Sequence, residues 1–123
     1  MEFASIRLIT RDVARLADFY ELVTGLEASR PVPVFAEIRT ARATLAIADP
    51  ATVGMLGAAA PEPGGASGVI IEFLVGDVDA RFAQLSPSLT DIVLEPTTMP
   101  WGNRSALFRD PDGNLVNLFS RPA

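Results

Sequence analysis

The sequence offers few side chains with which an enzyme could do acid–base or nucleophilic chemistry. Its 123 residues include no histidine and no cysteine. Histidine is the usual general base near neutral pH and the commonest transition-metal ligand, and cysteine supplies the thiolate nucleophile. The composition therefore excludes serine–histidine and cysteine–histidine catalytic arrangements, thiolate metal sites and disulfides.

Glu72 is the first candidate functional residue, because it is the one charge in the apolar run over residues 69–75. An unpaired carboxylate among buried apolar side chains is costly, so Glu72 should have a partner. Arg7 alternates with Ile6 and Leu8 on a strand-like segment early in the chain. Three interpretations are open: an Arg7–Glu72 ion pair, contact of these side chains with a ligand, and proton transfer by Glu72 as a base.

Three aromatic residues are candidates for contact with an apolar or planar ligand. Trp101 is the only tryptophan, and it could either pack in the core or stack on a planar molecule. Phe35 and Phe119 lie on segments of strand character, where a core role competes with ligand contact. Tyr20 lies on the apolar face of a predicted helix and is expected to be structural.

Four aspartates come in pairs, but local backbone structure explains them without a cation site. Asp12 and Asp77 each precede a helical pattern and are typical N-cap residues. Asp110 and Asp112 belong to the turn sequence over residues 110–114. We expect all four carboxylates to stabilise the backbone.

The elements that position these residues occur twice along the chain. The first half predicts a strand at Ile6 and Leu8, a helix from the Asp12 cap to Gly25, and extended segments over 32–35, 37–40 and 43–48. The second half predicts a strand over 69–75, a helix that starts after Asp77 and stops before Pro87, and extended segments over 92–95, 104–109 and 115–119. The segments 11–20 and 76–85 align without a gap.

This repeat predicts an α+β fold of two tandem βαβββ modules in a single domain over residues 1–123. Module 1 covers about residues 3–50, a connector 51–68, and module 2 about 69–120, and the second part of the connector is rich in proline and glycine. Strand alternation places Ile6 and Leu8 under the first helix and Val69, Ile71, Phe73 and Val75 under the second. Arg7 and Glu72 then lie at equivalent positions of the two modules, each on the sheet face that points away from its helix.

Charge and hydropathy exclude several classes of partner. The net charge is −5, and the ten basic residues are scattered along the chain, so no nucleic-acid partner is expected. No apolar run reaches the roughly 18 residues that span a bilayer, and the N-terminus lacks the pattern of a signal peptide. These features predict a cytoplasmic protein without membrane contact.

The repeat and its motifs resemble the vicinal oxygen chelate superfamily, which includes glyoxalase I, extradiol dioxygenases, fosfomycin-resistance enzymes and bleomycin-binding proteins. The most specific motifs are Asp12-Val13 with Phe19-Tyr20, then Gly25-Leu26, and the closing segment over residues 108–114. The resemblance implies two βαβββ modules whose curved mixed sheets surround a shared cleft. It also implies a homodimer.

Enzymes of this superfamily hold a divalent metal in the cleft with His, Glu or Gln side chains on the first and last strand of each module. The resemblance places the matching positions at Ser5, Ala46, Ile70 and Asn117. Because a catalytic zinc or iron site needs about three protein ligands, neither a metal nor another cofactor is expected. Asn117 could still orient a ligand through hydrogen bonds.

The sequence thus predicts a metal-free protein of glyoxalase/bleomycin-resistance type that binds a small hydrophobic or planar molecule in the cleft between the modules. The expected ligand-binding residues are Arg7, Glu72, Trp101, Asn117, Phe35 and Phe119. One alternative is a cofactor-free isomerase or lyase that uses Glu72 as its base. Another is a non-catalytic regulatory or interaction domain.

Overall fold

The computed structural model describes residues 1–64 and 68–123, which form two compact units, one on each side of residues 65–67. The predicted connector at 51–68 therefore lies partly outside the described residues. Within the described ranges, each unit contains an α-helix and a four-stranded mixed sheet. This arrangement confirms the predicted α+β class and the βαβββ order of each half.

The first unit builds its sheet in the order β1-β4-β3-β2. Its elements are β1 (Ser5–Ile9), α1 (Val13–Thr24), β2 (Ser29–Val32), β3 (Phe35–Arg39) and β4 (Thr44–Ala48), followed by a 3₁₀ segment over Pro50–Ala59. Strand β1 is parallel to β4, and the other neighbours are antiparallel. The long α1 crossover connects β1 to the far side of the sheet, and β4 returns beside β1.

The second unit repeats this topology in the order β5-β8-β7-β6. Its elements are β5 (Ile70–Leu74), α2 (Val78–Leu85), a short 3₁₀ turn (Ser86–Ser88), β6 (Ile92–Thr98), β7 (Arg104–Arg109) and β8 (Leu115–Ser120). Strand β5 is parallel to β8, and the other pairs are antiparallel. The two halves therefore share connectivity and strand order.

Both helices begin at the predicted aspartate caps. Asp12 Oδ1 accepts from the Arg15 backbone N–H, and Asp77 Oδ1 accepts from that of Ala80, each at 3.0 Å. These bonds satisfy donors that the first helical turn leaves without partners. Helix α1 ends at Gly25, whose φ of 71° is left-handed and suits a residue without a Cβ.

Each sheet packs one face under its helix. In the first unit, Leu16 and Tyr20 of α1 are buried, as are Ile38 and Ile47 of β3 and β4, the strands that α1 contacts. The Tyr20 ring is edge-on to the Phe19 ring, with 5.2 Å between their centroids. The structural role predicted for Tyr20 is confirmed. In the second unit, the corresponding cluster contains Val78, Phe82 and Ala106, with Val75 packed against it.

Some details of the predicted elements are wrong. The segment over 32–35 is not one strand, because Pro33 and Val34 form a turn between the end of β2 at Val32 and the start of β3 at Phe35. Proline has a fixed φ and no backbone N–H, which suits a turn better than a strand interior. Ile6 and Val69 are exposed and not covered by the helices, because β1 and β5 are edge strands while the helices pack mainly over interior strands.

The beginning of the predicted connector belongs to the first unit. Val53 of the 3₁₀ segment is only 3% exposed and packs against Ile9 and Ala48, together with the half-buried Phe35. These residues lie on the sheet face opposite α1, so the chain covers part of that face after leaving β4. No helix in the described part of the chain is both long and apolar enough to cross a membrane.

Candidate functional site

The strand registers place the candidate polar residues at matching positions in the two sheets. Arg7 pairs with Ala46 between β1 and β4, and Glu72 pairs with Asn117 between β5 and β8. Ser5 and Ile70 precede Arg7 and Glu72 by two residues, so they share the same faces. The family resemblance assigns four positions to metal ligands. Ser5 and Ala46 lie in the first sheet, and Ile70 and Asn117 lie at the equivalent positions of the second sheet.

Glu72 and Asn117 are joined by a hydrogen bond. The Asn117 Nδ2 group donates to Glu72 Oε2 at 2.8 Å. Asn117 is only 9% exposed, whereas the Glu72 side chain is exposed. The sequence predicted both residues as ligand contacts, and the structure brings them together within one sheet. Their direct contact depends on the β5–β8 register, which the sequence alone did not reveal.

Apolar side chains surround this polar pair on the face of the second sheet that points away from α2. Ile70 and Leu74 flank Glu72 on β5 and are exposed, and Phe119 follows Asn117 on β8 and is half-buried. Arg121 lies over the Phe119 ring at 5.9 Å from its centroid. We call the surface formed by Ile70, Glu72, Leu74, Asn117 and Phe119 the Glu72 face.

The equivalent end of the first sheet is covered. By register, Ile9 corresponds to Leu74 and Ala48 to Phe119, and both Ile9 and Ala48 are buried under Val53. Phe35 packs against this cluster and also borders a shallow apolar cavity of about 150 Å³ beside the start of α1. Its predicted contact with a ligand stays a prediction.

Arg7 is exposed on β1. The Glu37 carboxylate lies on the same face of the sheet, and the sequence did not predict it as a candidate. Glu37 pairs with Ala46 from the other side, and its side chain accepts from Arg39 Nε at 2.9 Å. The alternation of β3 could have revealed Glu37, since it shares a face with Phe35. The Arg7–Glu72 ion pair and the use of Glu72 as a base both remain predictions.

Trp101 lies in the turn between β6 and β7 and is 70% exposed, so the core-packing alternative for this residue is wrong. The turn is closed by the Met99 N–H donating to the Asn103 carbonyl at 2.7 Å. Gly102 is required here, because its φ is 99° and an added Cβ would lie 2.9 Å from Pro122 Cγ. Contact of Trp101 with a ligand remains a prediction.

The Asp110 carboxylate holds the backbone of the closing turn, as the sequence predicted, whereas Asp112 Oδ2 is buried without a hydrogen-bond partner among the described residues. Asp110 Oδ1 accepts from the backbone N–H groups of Asp112 and Asn114, and its Oδ2 accepts from Asn114 Nδ2. Three donors therefore converge on one buried carboxylate. These hydrogen bonds hold the turn between β7 and β8.

The side chains at the family's metal positions do not fit a divalent transition metal. Ala46 and Ile70 have no donor atom, and Ser5 and Asn117 contribute a hydroxyl and an amide. Across residues 1–64 and 68–123, no three His, Cys, Asp or Glu side chains are grouped as a metal site would require. A catalytic site of this type needs about three imidazole, thiolate or carboxylate ligands.

The whole-chain fold is shared with solved structures of glyoxalase type. A glyoxalase/bleomycin resistance protein/dioxygenase family enzyme from Burkholderia phytofirmans PsJN has a TM-score of 0.85 at 17% identity, with 98% of each chain covered. A glyoxalase/bleomycin resistance protein/dioxygenase from Nocardioides has a TM-score of 0.78 at 23% identity, covering 99% of this chain and 84% of that one. Lactoylglutathione lyase from Agrobacterium tumefaciens has a TM-score of 0.74 at 23% identity, covering 96% and 92%.

At these identities the solved structures establish a common fold. No curated protein matches the chain. The model of the Glyoxalase/Bleomycin resistance protein/Dioxygenase superfamily matches residues 2–118, which is nearly the entire sequence. Together with the doubled βαβββ topology, this match shows that the chain belongs to the glyoxalase/bleomycin resistance protein/dioxygenase superfamily.

Proposed function

We propose that this protein binds a small hydrophobic or planar molecule on the Glu72 face and does so without a metal. The observation that carries the proposal is the unequal exposure of two equivalent positions. Leu74 of the second sheet is 52% exposed, whereas Ile9, at the same position of the first sheet, is 7% exposed beneath the 3₁₀ segment. In the first unit the 3₁₀ segment covers this apolar surface, whereas the described part of the second unit leaves the equivalent surface exposed.

Apolar side chains would provide most of the affinity at such a site. Removing apolar surface from water is favourable by about 25 cal/mol per Å², and Ile70, Leu74 and Phe119 present such surface on adjacent strands. The hydrogen-bonded Glu72 and Asn117 side chains lie among them and would fix the orientation of the bound molecule. Small-molecule sites commonly combine apolar walls with a few polar groups in this way.

The proposal without metal follows from the side chains at the family's metal positions. Ser5, Ala46, Ile70 and Asn117 provide no imidazole, thiolate or carboxylate. Reactions of this superfamily that depend on a metal are therefore not part of the proposed function. Recognition would depend on shape, apolar contact and hydrogen bonds.

A titration with 2-naphthol, a planar apolar probe, tests the proposal by following backbone amide resonances of the ¹⁵N-labelled protein. We expect the largest shifts at Ile70, Leu74 and Phe119. Leu74→Ser should weaken binding by about tenfold, because it removes an apolar contact at an already exposed position.

Leu22→Ser is the matched control, because Leu22 is also an exposed leucine but lies on α1. This variant should bind 2-naphthol as the wild type does. Shifts confined to another surface, or equal affinity of the wild type and Leu74→Ser, would contradict the proposed binding site.

A further inference from the structure

The Asn117 amide has a defined orientation that leaves its oxygen without a donor. A carboxylate only accepts hydrogen bonds, so Nδ2 must be the atom that faces Glu72 at 2.8 Å. Asn117 Oδ1 then points to the other side of the amide. This oxygen is buried and has no hydrogen-bond partner in the part of the chain that the structure describes.

A buried acceptor without a donor is unfavourable, and the great majority of buried polar atoms in proteins are paired. Only 9% of the Asn117 surface is exposed, so bulk water does not supply the missing donor. Glu72 beside it has one side-chain donor among the described residues, which is Asn117 itself. The exposed Glu72 carboxylate and the buried Asn117 Oδ1 are therefore two acceptors on the neighbouring strands β5 and β8, and Asn117 Nδ2 bonds the carboxylate.

We infer that the molecule bound at the Glu72 face carries a primary ammonium or guanidinium group, which donates to the exposed Glu72 carboxylate and, once a small rotation of the Asn117 side chain uncovers it, to Asn117 Oδ1. The inference rests on the proposed binding function and adds the chemical class of the ligand. A cationic nitrogen with several N–H donors satisfies both acceptors at once, and hydrogen bonds between charged partners are the strong ones. A hydroxyl has one proton to donate, and a carboxylate has none.

The surroundings of the two acceptors indicate what the cationic group is attached to. Ile70 and Leu74 are exposed on either side of Glu72, and the Phe119 ring lies beyond Asn117 on the neighbouring strand. An apolar or aromatic body placed on these side chains would bring its amino group to the polar pair. The ligand class is therefore an apolar or aromatic amine.

Three probes of similar size and different charge test this inference on the full-length protein. They are 2-phenylethylamine, which is cationic at neutral pH, the neutral 2-phenylethanol and the anionic phenylacetate. We expect 2-phenylethylamine to bind about tenfold more tightly than 2-phenylethanol, and phenylacetate to bind most weakly. The Asn117 Nδ2 resonances and the amide resonances of Leu74 and Phe119 report binding at this face.

Glu72→Gln is the informative variant, because the glutamine oxygen can still accept from Asn117 while the charge is removed. The preference for the amine over the alcohol should then fall to about threefold or less. Glu37→Gln is the control, since Glu37 is a carboxylate on the first sheet that bonds Arg39. It should keep the full preference.

Equal affinity of the amine and the alcohol at the Glu72 face would overturn the inference and leave the proposed function standing. Such a result would mean that water or a protein group completes Asn117 Oδ1. If none of the three probes perturbs the Glu72 face while 2-naphthol does, the cationic specificity is likewise refuted. If 2-naphthol also fails to bind there, the proposed function itself is wrong.

Discussion

At the scale of single residues, the Glu72–Asn117 hydrogen bond predicts unequal effects of two substitutions at one position. Glu72→Ala removes the acceptor of a buried amide donor and should lower the free energy of unfolding by about 1–3 kcal/mol. Glu72→Gln keeps an acceptor and should cost less than about 1 kcal/mol. Urea denaturation measures both.

Glu95→Ala provides the comparison, because Glu95 is an exposed glutamate on β6 of the same unit. A surface substitution of this kind should change stability by no more than about 0.5 kcal/mol. If Glu72→Ala is as mild as Glu95→Ala, the hydrogen bond to Asn117 does not stabilise the fold.

The residue types of the candidate site were predictable, but their contacts were not. The isolated charge of Glu72 in an apolar strand indicated that it needs a partner, and its position on the face away from α2 followed from alternation. The partner found in the structure is Asn117, which lies 45 residues later in the sequence. A long-range strand register is set by the whole sheet, so local pattern could not identify this contact.

At the scale of elements, Val53 should anchor the 3₁₀ segment to the first sheet. The Val53 side chain is buried against Ile9 and Ala48. Val53→Ala removes two buried methyl groups and should cost about 1.5–3 kcal/mol in the free energy of unfolding. Met55→Ala, in the same segment but at a residue that is 88% exposed, should have little effect. Similar unfolding midpoints for the two variants would show that the segment does not depend on Val53.

The ion pair between α2 and β7 predicts a dependence of stability on acid pH. Arg104 donates to both carboxylate oxygens of Asp79, at 2.7 and 2.8 Å, and this hydrogen bonding lowers the pKa of Asp79 below its usual value of about 3.9. A lowered pKa in the folded state stabilises the fold above the unfolded-state pKa, and this contribution is lost as the pH falls through the folded-state pKa.

Comparison of the wild type with Asp79→Asn by chemical denaturation at several pH values tests this link. The stability difference should be constant between about pH 5 and 7 and should shrink below about pH 4. Because both side chains are exposed to solvent, salt should also reduce the difference. A difference that stays the same throughout the acid range would contradict the role assigned to Asp79.

Most elements could be predicted because their signals are local. Asp12 and Asp77 marked both helix starts, Gly25 marked a helix end, and β7 was predicted over its full length of 104–109. The 3₁₀ segment was not predicted, since its burial arises from contact with β1 and β4 and not from its own periodicity. Tertiary packing overrides weak local preference in such segments.

At the scale of the whole molecule, we propose that the protein is a homodimer. The described residues expose large apolar side chains at Phe3, Met55 and Trp101, and both sheets have edge strands. Burial of such surface against a second copy is a common solution in soluble proteins. Sedimentation velocity at micromolar concentration should give twice the 13.1 kDa mass of the chain. A single species of monomer mass over a wide concentration range would contradict the dimer.

The duplicated architecture was visible in the sequence, whereas the difference between the halves was not. Equivalent registers, Arg7 with Ala46 and Glu72 with Asn117, confirm the internal repeat. The divergence lies in what covers each sheet, because Val53 lies over the first sheet while the Glu72 face of the second stays exposed within its own unit. We therefore propose the binding function for the second half, although the sequence repeat alone predicts no difference between the halves.

Native mass spectrometry of the protein purified from its own source tests the central claim most directly. The proposed function predicts a stoichiometric small organic molecule on the wild-type chain, less of it on Leu74→Ser, and no divalent transition metal. One equivalent of zinc, iron, manganese or nickel that survives dialysis, with no organic molecule bound, would contradict the claim.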